Sequence, residues 1–422
     1  MCTLAFGMTN EEFIRLHREE DVRRLALTRA PEGVDLKWCL QQIEGWQIAR
    51  RKLPSWAATE GLWYPARLSM EQCSSEETAR YKRGIVERLI PEGRTSMVDL
   101  TGGLGVDFSQ LAPLFREATY VEVQPQLIEL AQHNFPLLGI EDATCTDHSS
   151  FLLRCSTKAS LRAERFTLHS SLFFIDPARR DGVGRKTVSI QDCTPNLLEM
   201  QDELLANSQW VMVKLSPMLD ITQALRELHG VKEVHVVSVQ GECKELLMVM
   251  KAGEEGPVTM HCVNLGTDDD EVTITHPDSN LCSSTIEPKV LLNKASGSNE
   301  SNLRPFLYEP NASILKAGVC DALTRKYPIA KLHARSNLFV SEQFIPHFPG
   351  RRFRIKGVSD FGKRNLKALI GDLEKANLTV RNFPTSVEKL RRQLHLAEGG
   401  ETYLFATTLS DGQHALIRCE KA

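Results

Sequence analysis

Between Ser96 and Met250, short apolar runs alternate with segments of helical periodicity, and this constrains the fold of the 422-residue chain more than any other feature. The runs lie at 97–100, 118–123, 143–146, 171–175, 211–215, 234–239 and 246–250. Strands separated by helices pair in parallel, with the helices covering both faces of the sheet. The pattern predicts a doubly wound, mostly parallel α/β domain.

The flanks read differently. Thr9-x-x-Glu12 has capping-box spacing, and Phe13, Leu16, Val22, Leu25 and Leu27, then Leu36, Leu40, Ile43 and Trp46, give apolar stripes at helical spacing. Pro54 and Gly61 interrupt them. A further helix is expected after Ser74-Ser75, through Tyr81, Ile85 and Leu89, ending at Pro91-Glu92-Gly93. Trp38, Trp46, Trp56 and Trp63 are expected to pack in the core of this N-terminal helical region rather than to stack on bases.

Beyond the α/β segment, residues 254–300 carry nine acids against two bases, and the runs 258–263 and 272–275 read as a hairpin about Gly266-Thr267-Asp268-Asp269-Asp270. From 346 to 386 the balance reverses, with nine bases against three acids. The pattern there is strand (352–358), helix (362–375), strand (378–381), helix (387–394) and a final hairpin of 403–407 with 415–418. Domain boundaries are expected at 1–74, 75–300, 301–349 and 350–422.

The formal charge of −3 does not discriminate among partners, since what matters is how charge is distributed. The eleven cysteines include no Cys-x-x-Cys pair, so free thiols in a reducing compartment are expected, not a disulfide framework or zinc ribbon. His148, His169, His235 and His261 show no ligand spacing with acids or cysteines, so no metal site is expected. No apolar stretch approaches the roughly 18–20 residues of a bilayer span. The N-terminus has neither a basic start nor a sustained apolar run, so a cytoplasmic location is expected.

The most informative segment is Val98-Asp99-Leu100-Thr101-Gly102-Gly103-Leu104-Gly105-Val106-Asp107. A strand ends at an acid, turns through three glycines and feeds a helix whose first N–H groups are free for a ligand. Such a turn is also an ordinary strand-to-helix connection, but Glu122 at the end of the next strand suits a ribose, and ligands of doubly wound sheets sit at the carboxyl ends of strands. The spacing is neither Gly-x-Gly-x-x-Gly nor a pyrophosphate-binding Walker sequence.

Asp99-x-Thr101-x-Gly103-x-Gly105 resembles the first motif of class I S-adenosylmethionine-dependent methyltransferases. The resemblance spans roughly residues 75–252 and implies a Rossmann-like domain. It implies that Asp99, Thr101, Gly102, Gly103, Gly105, Asp107, Glu122, Val123, Asp147 and His148 form the cofactor site. Glu122 corresponds to the ribose-binding acid and Asp147-His148 to the position that touches adenine. Asp176-Pro177-Ala178-Arg179 falls at the motif after strand four, so Asp176, Pro177 and Arg179 are the expected catalytic residues. Thr101 replaces the commonest first glycine, and the strand-four motif lacks its second proline and its aromatic.

Glu71-Gln72-Cys73-Ser74-Ser75-Glu76, Asp176 to Arg180, Val213-Lys214-Leu215-Ser216-Pro217 and Gly241-Glu242-Cys243-Lys244-Glu245 are similar to segments of a bacterial methyltransferase group. That group ends in a ferredoxin-like module and a THUMP-like domain, which implies a grip on structured RNA (tRNA or rRNA). Arg180, Lys214, Ser216, Arg351, Arg352, Lys363 and Arg364 are then the expected substrate contacts, with Arg185 and Lys186 as further candidates for phosphate. Cys193 and Cys243 lie in neither context expected for covalent attack on a pyrimidine, and read as small buried hydrophobes. A protein or small-molecule methyltransferase and a non-catalytic S-adenosylmethionine-binding protein stay open as alternatives. The sequence leaves the methylated atom and the oligomeric state undetermined.

Overall fold

A computed structural model describes residues 8–155, 169–179, 190–253, 256–269, 271–276 and 305–422. The chain forms two compact units, one of residues 1–232 and 247–255, the other of 233–246 and 256–422. No helix among the described residues is long and apolar enough to cross a membrane.

The first unit opens with helices. The expected capping box is present at Asn10–His17, where Thr9 and Glu12 exchange side-chain-to-backbone hydrogen bonds of 2.9 and 3.2 Å. The long helix Leu36–Lys52 buries Cys39, Ile43 and Ala49. Its Gln42 amide clamps the backbone of Tyr64 in both directions. Of the four tryptophans only Trp56 is fully buried, while Trp46 lies at the boundary beneath the guanidinium groups of Arg18 and Arg50.

The helix Glu76–Leu89, capped by Ser75, leads into the sheet. Strands β1 (Ser96–Asp99), β2 (Glu117–Val121), β3 (Thr144–Thr146), β4 (Ser170–Ile175) and β5 (Ser208–Leu215) pair in parallel, with Asp99 opposite Tyr120 and Val98 opposite Phe173. All six residues of β4 are buried, as expected of a strand covered on both faces. Strands β6 (Val231–Val239) and β7 (Glu242–Met250) follow, joined at Gln240-Gly241, both in left-handed backbone. In the first unit the order is β3-β2-β1-β4-β5-β7, with the second half of β7 at the end.

In the second unit β6 is flanked by the first half of β7 and by β8 (Val258–Leu265). The expected acidic hairpin is present, β8 pairing antiparallel with β9 (Val272–His276), and β8 also extends the sheet by parallel pairing with β6. A separate seven-stranded sheet contains β10 (Phe306–Pro310), β11 (Ala330–Lys331), β12 (Phe339–Ser341), β13 (Gly350–Ser359), β14 (Asn377–Arg381), β15 (Tyr403–Thr408) and β16 (His414–Lys421). Their order is β11-β12-β10-β13-β16-β15-β14. Only β14 and β15 pair in parallel. Leu307, Phe353, Phe405 and Ile417 form one core cluster of this unit. A second gathers Leu390, Leu404 and Leu416 around the helices Lys363–Ile370 and Val387–Leu394. The first of these helices ends at Ile370 with Gly371 as its cap, short of the residue 375 expected from periodicity.

Candidate active site

The glycine turn begins where β1 ends. Asp99 is buried and accepts the Thr101 N–H at 3.0 Å, and burial pushes its carboxyl well above the usual carboxylate range. The three glycines differ in their work. A side chain at Gly102 would lie 2.1 Å from the Tyr120 ring, and one at Gly105, which has φ +81°, 2.8 Å from the Phe135 ring. Those two make room for aromatic packing. Gly103 (φ +55°) meets nothing closer than 3.8 Å and is the member of the three with open space beside it.

Glu122, one residue past β2, is aimed at this turn. Its Oε2 accepts the Gly103 N–H at 2.8 Å, and Oε1 accepts those of Val123 and Gln124 at 2.8 and 2.9 Å. A carboxylate offers about four acceptor sites, so one on Oε2 remains for a hydroxyl. Val123 beside it is an exposed apolar side chain. Asp147 follows β3 directly, but both its oxygens accept from Ser150, and these bonds hold it below the usual carboxylate range. Its carboxylate caps the helix His148–Cys155, of which His148 is the first residue. The departure at Thr101 has a structural reason: its hydroxyl accepts the Asp176 N–H at 2.6 Å, tying the turn to the end of β4.

Beneath the turn lies an ionic cluster whose members come from distant segments. Lys82, 0% exposed, pairs with Asp107 at 2.9 Å. Ser74 donates to Asp107 at 2.6 Å and accepts from Lys214 at 3.2 Å. Lys214 pairs with Asp176 and lies 3.8 Å from Asp107. Burial opposes the charge of Asp107, but Lys82 and Lys214 outweigh it and hold the acid below its ordinary pKa. Asp107, expected to meet the cofactor, is thus engaged by lysines, and Lys214, expected to meet the substrate, is engaged by acids.

Sequence reasoning missed Lys82, and read Ser74 as a helix-start signal within a segment that carries the resemblance, without a role in the site. A signal for Lys82 existed, because it falls on the buried stripe of Thr78, Ala79, Ile85 and Val86. Ser216 is half-buried after β5, and its Oγ accepts the Met218 N–H at 3.3 Å. Pro177 is buried behind Asp176. Arg179 is the second residue of a short ladder, Ala178–Arg179, in which it pairs with Cys193, while its side chain, Arg180, Arg185 and Lys186 lie outside the described residues.

A crystal structure of a Porphyromonas gingivalis W83 protein described as a methyltransferase is 32% identical to this chain. The match covers 98% of this chain and 97% of that one, with a TM-score of 0.78. The chain belongs to this methyltransferase family. Two uncharacterized S-adenosylmethionine-dependent methyltransferases of Mycobacterium tuberculosis, from strains CDC 1551 / Oshkosh and H37Rv, are 21% identical over 334 residues. That stretch is 78% of this chain and 80% of each relative. Residues 306–349 match a family described as a ferredoxin-like domain, and residues 350–421 one described as THUMP domain-like.

The methyltransferase is therefore an S-adenosylmethionine-dependent enzyme with a class I α/β fold, as its motifs imply. The residues present suit that cofactor. An open glycine lies beside a buried acid that retains an acceptor site, and the two lysines beneath the turn are already paired with Asp107 and Asp176.

Proposed function

We propose that the methyltransferase modifies a base of structured RNA, tRNA or rRNA, in the cytoplasm. S-adenosylmethionine, when bound, supplies a methyl group activated by its sulfonium. In this reading the turn from Asp99 to Asp107 lies along the cofactor, with Thr101, Gly102, Gly103 and Gly105 providing backbone. Glu122 receives a ribose hydroxyl, Val123 packs on the purine, and Asp147 with His148 borders it. Asp176 and the Pro177 carbonyl hold the acceptor base, and Lys214 fixes the Asp176 carboxylate. Much of the acceleration comes from aligning acceptor and methyl group.

The observation that carries the RNA half is the helix Lys363–Ile370 within the THUMP-like stretch. Lys363, Arg364 and Lys367 are exposed on it, the helix holds no acid, and these three form no ion pair among the described residues. THUMP domains grip structured RNA, and Arg352, outside the ion pairs of its sheet, adds to the basic set. Other bases of this region are neutralised internally. Arg351 and Arg381 share buried Glu309, Lys356 pairs with Glu420, and Arg418 with Asp372.

The test is mass spectrometry of nucleosides from tRNA and rRNA of a deletion strain. One modified nucleoside should disappear, return with the wild-type gene, and not return with Glu122→Ala, whose binding of S-adenosylmethionine should be lost by calorimetry. An unchanged nucleoside profile, with no salt-sensitive binding of bulk tRNA by the full chain, would overturn the RNA assignment and favour a protein or small-molecule acceptor.

A further inference from the structure

The second unit holds a cluster of ligand-type side chains that none of the methyltransferase motifs includes. Glu233 and His235 stand two apart on β6 and so point to the same face of the sheet. The parallel pairing of β6 with β8 sets His261 directly beside His235. Their rings stack 4.4 Å apart and 6° from parallel. His235 Nε2 lies 2.9 Å from Glu233 Oε2. One carboxylate oxygen of Glu233 and one ring nitrogen of each histidine fall within 4.8 Å of one another. His235 is 1% exposed, and the other two side chains are mostly buried.

A fourth group orients the set. His261 Nδ1 lies 2.8 Å from Glu271 Oε1 and 3.3 Å from the hydroxyl of Thr273, its register partner on β9. A carboxylate accepting from Nδ1–H selects the tautomer that leaves the Nε2 lone pair for a cation, the relation recurrent behind metal-bound histidines.

From this geometry we infer that Glu233, His235 and His261 form a site for a borderline divalent cation, zinc foremost. Two imidazole nitrogens and one carboxylate oxygen match its ligand preference, and three protein ligands leave a fourth position for water. Zinc–ligand bonds of about 2.0–2.1 Å put two ligands of one ion roughly 3.4 Å apart at a tetrahedral angle. His235 Nε2 and Glu233 Oε2 already lie near that separation, so uptake chiefly turns the stacked rings out of parallel, through χ rotations that let both in-plane lone pairs converge on one ion. The ion would clip β6 to β8, and Glu271 would extend the restraint to the turn leading into β9. No spacing rule in the sequence announces such a site, because the histidines meet only through strand pairing.

The experiment uses the untagged full-length chain, stripped with a chelator and titrated with cobalt(II), then zinc(II). One equivalent of cobalt should give a visible band of tetrahedral intensity that zinc abolishes. X-ray absorption should show nitrogen and oxygen neighbours without sulfur. Glu233→Gln and His261→Gln should each weaken uptake at least tenfold. Glu271→Gln should weaken it about 10–100-fold, in the range of lost orienting partners. Absence of the band in wild type, sulfur in the coordination shell, or uptake unchanged in folded variants would overturn the site. If a variant misfolds by circular dichroism, the wild-type band and absorption spectrum decide alone.

Discussion

Lys82 shows how much one side chain can carry. Its ammonium is wholly buried against Asp107, and Ser74 and the Thr78 carbonyl lie within 3.4 Å. Removing one member of a buried pair strands the other, at a cost of about 3–5 kcal/mol. Lys82→Met should lose stability on that scale in urea unfolding, and adding Asp107→Asn should recover part of the loss. Asp99 behaves in the opposite electrostatic sense. Burial raises its folded pKa above the unfolded value of about 3.9, so it favours folding below that value. The contribution is lost as pH rises through the folded pKa. Asp99→Asn is uncharged throughout, so across that window it should gain on wild type in urea midpoints measured at several pH values. Parallel pH dependences for the two proteins would refute this account of Asp99.

At the scale of elements, the turn between β1 and the helix Val106–Leu111 is fixed by two different demands on glycine. Gly93, in the turn that precedes β1, and Gly105 both have positive φ, 71° and 81°, but of the two only Gly105 faces a ring. Gly93→Ala should therefore cost about 1–2 kcal/mol from the left-handed backbone alone. Gly105→Ala carries that cost plus about 1–3 kcal/mol for displacing Phe135. Thermal or chemical unfolding of the two variants separates strain from packing, and equal losses would refute the division. The sequence marked all three glycines for a ligand. What it did not show is that Tyr120 and Phe135 claim the space beside two of them.

On the scale of the whole molecule, charge distribution matters more than net charge. Each phosphate contact contributes about one unit to the log–log slope of RNA affinity against salt. Lys363→Ala, Arg364→Ala and Lys367→Ala should each lower that slope by about one in filter binding with bulk tRNA. Arg351→Ala should instead reduce stability, since it removes one of two partners of buried Glu309. A full unit of slope lost in Arg351→Ala without destabilisation would contradict the pairing. The basic stretch was legible in the sequence. Its division into neutralised and available charge was not, because Glu309 lies on β10 and its arginines on β13 and β14.

The alternation of strands and helices, the glycine turn and the acids at strand ends were written in the sequence, because periodicity and turn chemistry act between near neighbours along the chain. The tertiary structure alone decided which charges meet. Ser74 and Lys214 bond across 140 positions, and His235 finds His261 only because two strands pair in one register. Such contacts depend on strand order and side-chain packing, and these are set by burial of the whole core, which no short segment can encode.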